Sequence, residues 1–166
     1  IVAGSMAGQW MAVQQKLGFV ANFWFGHQGY EYVDLGRFWQ IFLFVGLLVW
    51  LTLMFRALLP ALREGKNRSL LILLVLASVA IGLLYGAGLM WGEHTHISIM
   101  EYWRWWVVHL WVEGFFEVFA TAVVALIFTR LGLVGAASAN RAIVAETIVF
   151  LFGGILGPVA GGLLGN

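Results

Sequence analysis

Three residues carry the most chemistry in this chain: His109, Glu113 and Glu117, set at steps of four within a long apolar run. On an α-helix each step of four turns the side chain by only about 40°, so all three fall on one stripe. An ionisable group inside a membrane span costs about 2.5–3.5 kcal/mol, so such groups face protein or a water cavity. An imidazole and a carboxylate one turn apart, about 6 Å along the axis, can reach a common cation. That donor set suits non-haem iron or zinc better than copper(I), which prefers sulfur. The chain has no cysteine, so any metal must use its four histidines, its carboxylates or neutral oxygens. Glu117, one turn beyond Glu113, could relay protons towards the metal. The competing reading is a hydrogen-bonded polar cluster that holds helices together.

Other candidates are less specific. Glu31 and Asp34 stand three apart beside Tyr30, and hard carboxylate oxygens at that spacing can share a calcium ion. A solvated acidic turn accounts for them equally well. His94 and His96 follow Glu93 and read first as loop histidines at an interface. Glu146, about one turn inside the last apolar run, would snorkel, pair with Arg141 or begin a proton entry, in that order of preference. Gly153 and Gly154 allow close helix packing.

The elements that must position these residues are membrane spans. Of 166 residues, 62% are hydrophobic and only 10% charged, where a soluble domain carries about 25% charged. Mean hydropathy is +0.93. A net charge of only +1 gives no electrostatic footprint for nucleic acid. Four runs, 38–62, 70–90, 103–131 and 142–164, have the roughly 20 apolar residues a spanning helix needs. A fifth, 1–17, reads as the tail of another span. The apolar runs are continuous and do not alternate, which disfavours barrel strands. The expected fold is an all-α polytopic bundle of about five spans, forming a single transmembrane domain over 1–166. Arg56, Arg63, Lys66, Arg68, Arg130 and Arg141 cluster at two connections and place 63–69 and 132–141 inside. Connections 18–37 and 91–102 then lie outside, where Trp24, Tyr30, Trp39, Trp91, Trp103 and Trp105 form an interfacial belt.

The string Trp-Trp-Val-Val-His-Leu-Trp-Val-Glu-Gly-Phe-Phe-Glu-Val-Phe-Ala (105–120) closely resembles the large catalytic subunit of bacterial nitric oxide reductases. So do Gly-His-Gln-Gly-Tyr-Glu-Tyr-Val-Asp-Leu-Gly-Arg-Phe-Trp-Gln (26–40) and Tyr-Gly-Ala-Gly-Leu-Met-Trp-Gly-Glu-His-Thr-His (85–96). The quinol-dependent, single-chain type within the haem–copper oxidase superfamily looks nearest. The resemblance extends to about Gly157. It implies that His109 and Glu113 ligate a non-haem iron, that Glu117 supplies protons, and that Glu31 helps hold a calcium ion. It also implies haem b, haem b3, reduction of two NO to N2O and water, quinol as electron donor, and the bacterial cytoplasmic membrane as location. The family places a His-His pair after the Gly-Gly-Ile-Leu-Gly stretch, whereas Pro158 to Gly162 stand there in this chain. The sequence thus holds one His and one Glu of a four-ligand site and none of the family's haem ligands. It is expected to be part of a larger catalytic domain, inactive alone, whose partners are the lipid bilayer, the remaining spans and, as an open question, a second copy in a homodimer. A transporter-like bundle with a proton-coupling Glu stripe and a nitric oxide dismutase-like relative are the alternatives.

Overall fold

A computed structural model describes the backbone of residues 1–29, 34–65 and 68–164, and the side chains of these apart from 109–110, 113–115, 154–155 and 157–164. The described residues form helices α1 (Val2–Val13), α2 (Phe19–Phe25), α3 (Arg37–Glu64), α4 (Arg68–Leu84), α5 (Ile97–Trp105), α6 (Glu117–Arg130) and α7 (Ala136–Leu164). A 3-10 segment, Tyr85–Leu89, extends α4, and a π-helical segment, Trp106–Phe116, joins α5 directly to α6. The protein is an all-α, multi-pass membrane bundle.

Three helical stretches are long and apolar enough to cross a membrane: Arg37–Glu64, Arg68–Leu89 and Ala136–Gly153. The run from Ile97 to Arg130 is helical throughout, but its α-π-α construction and its charged residues set it apart from these three. The expected fifth run is divided differently: α1 ends at Val13, and a turn with Gln15 at φ 54° leads to the short α2.

The passes alternate in direction. The basic side chains of this cluster that lie on described helices, Arg56, Arg63, Arg68, Arg130 and Arg141, therefore lie towards one end, and the tryptophan-rich connections gather at the other. Helix α3 closes at this basic end with Arg63 in its last turn, favourable to the helix dipole, and Gly65 in the left-handed conformation at φ +77°. Pro60 sits in the closing turns, where few following residues depend on its missing N–H.

Helix α4 is the hub. Leu70, Leu71, Leu74, Ala77, Ser78 and Ile81 recur at helical spacing and are all buried, against α3 on one side and α6 and the π segment on the other. Towards the basic end, Leu70, Leu74 and Ala77 meet Val118 and Ala122 of α6 and Ala139 and Ile143 of α7. Towards the aromatic end, Tyr85, Ala87, Trp91, Met100 and Val107 form a second core. Phe42, Val45, Val49 and Leu53 of α3 point outward, an apolar surface suited to lipid contact.

A pair of glycines one turn apart docks α1. A Cβ on Gly4 would meet the Trp39 ring, and one on Gly8 would come within 1.8 Å of the Phe25 carbonyl oxygen. Small residues at this spacing let helices approach closely in a membrane. Gly8→Ala is expected to push α1 off α2 at a cost of about 1–3 kcal/mol. Gly18→Ala, where a Cβ would meet nothing within 4 Å, serves as the control. Protease protection of the 1–25 region in detergent reads the difference, and equal protection in the two variants would refute this account of the packing.

Candidate functional site

The His109–Glu113 pair lies within the π-helical segment. A π-helix closes i→i+5 hydrogen bonds and has about 4.4 residues per turn; such turns occur frequently at functional sites. In an α-helix a four-residue step overshoots one turn by about 40°, whereas in a π-helix it falls short by about 30°. Backbone register thus keeps positions 109 and 113 on one face, with the offset reversed from the α-helical expectation. The side chains of His109 and Glu113 lie outside the described residues. Glu117 begins α6, and its side chain is exposed on the surface of this bundle. The expectation that it would face the bundle interior is corrected. The change of helix type at residue 117 alters the register on which that expectation rested.

Aromatic residues wall the π segment. Trp111 packs on Tyr85 at 4.9 Å between ring centroids and on Phe116 at 6.3 Å. A cavity of about 190 Å3 opens beside it, lined by Gln40, Tyr85, Gly88, Val107 and Trp111 among others. The indole N–H groups of Trp106 and Trp111 are buried without a hydrogen-bond partner among the described residues. A buried donor left in this way is costly unless something occupies its free side.

The aromatic end is fastened by residues that the sequence reading had treated as part of a loop. Arg37, only 5% exposed, donates from Nη1 to the Gly88 carbonyl at 2.8 Å and from Nη2 to the Trp91 carbonyl. Its guanidinium lies 5.4 Å from the Phe23 ring centroid and 5.3 Å from that of Trp91. Gln28 donates to Leu35 O at 2.7 Å and to Gln40 Oε1 at 2.9 Å, and accepts from Trp91 Nε1 at 3.0 Å. These contacts tie the 26–37 connection to the 85–91 connection across more than fifty residues of chain. The signal in the sequence was an arginine and a glutamine at the head of an otherwise apolar span.

The acidic candidates separate. Asp34 Oδ1 accepts from the Gly29 N–H at 2.6 Å and stands 3.5 Å from His27 Nδ1. This carboxylate closes the loop, beside an isolated antiparallel bridge between His27 and Leu35. Gly36 makes the closure possible, because a Cβ there would come within 2.8 Å of the Trp24 carbonyl oxygen. Glu31 lies outside the described residues. His96 caps α5, its Nδ1 accepting from the Ser98 N–H at 3.3 Å, and His94 is exposed. Glu146 neither snorkels nor pairs with Arg141. It accepts a 2.7 Å hydrogen bond from the Thr121 hydroxyl across the α6–α7 contact.

The family pattern described as Cytochrome C and Quinol oxidase polypeptide I matches residues 2–159. The chain belongs to this family. No single curated protein matches it significantly. Members of the family are oxidoreductases that bind haem, and the alternating apolar helices agree with its multi-pass membrane character.

The donor set can be tested against the groups such a family carries. Among the described residues no three His, Cys, Asp or Glu side chains converge. His27, His94 and His96 all lie at the aromatic end, and two of them are engaged in the contacts above, so they do not fit as axial ligands of a haem inside the bundle. His109 and Glu113 fit a metal by donor chemistry, as a neutral nitrogen and a hard oxygen one turn apart. Expressed alone in detergent, the 166-residue chain is expected to bind haem well below one per chain. A Soret band of full stoichiometry would contradict this account of its histidines.

Proposed function

We propose that this chain is part of the catalytic core of a nitric oxide reductase, which joins two NO molecules into N2O and water using two electrons and two protons. Quinol would be the electron donor, and haem b and haem b3 would be held by other spans of the protein. The basic end faces the cytoplasm of a bacterium and the aromatic end faces outward. A calcium ion at Glu31 belongs to the same reading. The observation that carries the proposal is a histidine and a glutamate one turn apart within a π-helical segment of a haem-binding family. A glutamate at that place adds a hard oxygen donor, which favours iron over copper.

His109 and Glu113 hold the non-haem metal, the imidazole as a neutral donor and the carboxylate offsetting charge. Iron held by these two residues would supply Lewis-acid and redox chemistry to the bound substrate. Glu117 holds and releases a proton at its carboxylate. It is exposed on this bundle and open to whatever packs or hydrates that face. The aromatic wall of Tyr85, Trp111 and Phe116 limits water at the π segment.

Metal analysis of the full-length, haem-loaded protein tests this reading. It requires iron in excess of haem and no stoichiometric copper, whereas one copper per protein would overturn it. Glu117→Gln is expected to keep haem and iron and to slow turnover by about 100-fold, because an amide keeps the shape but carries no proton. Turnover at the parent rate would remove Glu117 from the proton path.

A further inference from the structure

The α6–α7 contact contains polar groups that no element of the reading above uses. The Thr121 hydroxyl donates to Glu146 Oε1 at 2.7 Å, yet Glu146 Oε2 is buried without a partner among the described residues. Thr129 Oγ1 on α6 and Asn140 Oδ1 on α7 are also buried and without a partner among the described residues. The antiparallel pairing of Thr121 with Glu146 sets Thr129 level with about residue 138 of α7. The three unpartnered oxygens therefore mark a line from the basic end to the middle of the bundle. Thr129 lies about 12 Å and Asn140 about 9 Å along the helix axes from the Thr121–Glu146 level. Between the same helices an open, apolar pocket runs from Val134 and Ser138 near the basic turn to Thr121, and Glu146, Thr129 and Asn140 are not among the residues lining it, so it is not the water route. Buried waters settle where otherwise unpaired polar atoms can hold them, as the Glu146, Thr129 and Asn140 oxygens could.

Thr121 is one α-helical turn from Glu117 on α6. A hydroxyl both donates and accepts, so it can pass a proton along a chain of hydrogen bonds. A carboxyl group at the depth of Glu146 needs a proton or a water to satisfy its second oxygen. We propose that Glu146 is a proton-holding relay residue that supplies the site from the basic end, with the Thr121 hydroxyl as its link to Glu117. For the transfer the hydroxyl must turn: protonated Glu146 donates to the Thr121 oxygen, and the Thr121 proton, now directed to an intervening water, passes through that water to the Glu117 carboxylate. Glu146 regains a proton from water on the Thr129–Asn140 side, and no electron moves. The consuming reaction rests on the proposed function, whereas the relay itself does not depend on which oxidant is reduced. Other charged residues on the elements packed against α7 are Glu101 and Arg104 on α5, His109 and Glu113 in the π segment, Arg68 on α4 and Arg130 on α6, with Arg141 on α7 itself. Among the described residues none forms an ion pair with Glu146.

The test uses the full-length, haem-loaded protein in vesicles carrying a pH dye on the basic-end side. Proton uptake is followed after a single turnover with NO and, separately, with O2. Glu146→Gln keeps an oxygen that accepts from Thr121 and so preserves a purely structural clasp. It is expected to slow uptake at least tenfold with haem spectrum and iron content unchanged. Thr121→Val is expected to slow uptake as well, and Thr121→Ser and Glu146→Asp to restore most of it. Infrared difference spectra should lose a protonated-carboxyl band in Glu146→Gln. Parent-rate uptake in both Glu146→Gln and Thr121→Val would overturn the relay. If Glu146→Gln fails to load haem, the Thr121 pair decides. A parent protein that takes up protons with O2 but not with NO would sink the nitric oxide reading and leave the relay test intact.

Discussion

Glu113→Ala in the full-length, haem-loaded protein is expected to abolish most NO reduction, a loss of about 100-fold or more, and to lower non-haem iron while leaving the haem spectrum intact. Truncation removes the only carboxylate that the π segment offers one turn from His109. The remaining imidazole is a neutral donor that cannot offset the charge of the cation. Glu113→Asp keeps the carboxylate but withdraws it by one methylene, so it should retain part of the iron with weakened turnover. Iron occupancy and turnover both at parent level in Glu113→Ala would exclude Glu113 as a ligand. Loss of turnover with full iron would instead make it a proton-handling group.

Arg37→Met should give the largest loss of stability. The side chain is buried, and removing its guanidinium leaves the Gly88 and Trp91 carbonyls without the donors they now have. Hydrogen bonds to charged groups contribute about 1.5–3 kcal/mol each, so a loss of roughly 3 kcal/mol or more is expected. Two ring contacts go with it. Arg37→Lys should recover less than half of this, because a point charge cannot fork to two carbonyls as a planar guanidinium does. Thermal unfolding in detergent, read by tryptophan fluorescence, is the measurement. A parent-like transition in Arg37→Met would mean that Gln28 and Gln40 hold the connection by themselves.

The helical, membrane-spanning class was legible in the sequence, because hydrocarbon forces backbone hydrogen bonds inside each segment and continuous apolar runs follow. Helices α3, α4 and α7 appear where hydropathy places them. The His109/Glu113/Glu117 series was legible as spacing, but not as geometry. Residues 106–116 are as apolar as an α-helical span, and nothing in their pattern announces the wider π turn that changes the register. Glu117 consequently emerges on the exposed surface rather than inward. The partner of Glu146 was hidden for a different reason. Thr121 lies 25 residues away, and only the pairing of α6 with α7 brings the two together. The Gln28–Gln40–Trp91 network is likewise set by long-range packing, which local patterns do not encode.

Reduction of NO by the intact protein at an iron site containing His109 and Glu113 is what we propose. The most direct measurement is the gas yield when anaerobic NO is added to the quinol-reduced, full-length protein. One N2O is expected for every two NO consumed, with the yield collapsing in Glu113→Ala. NO left unconsumed by a haem-replete protein that readily reduces O2 would contradict it.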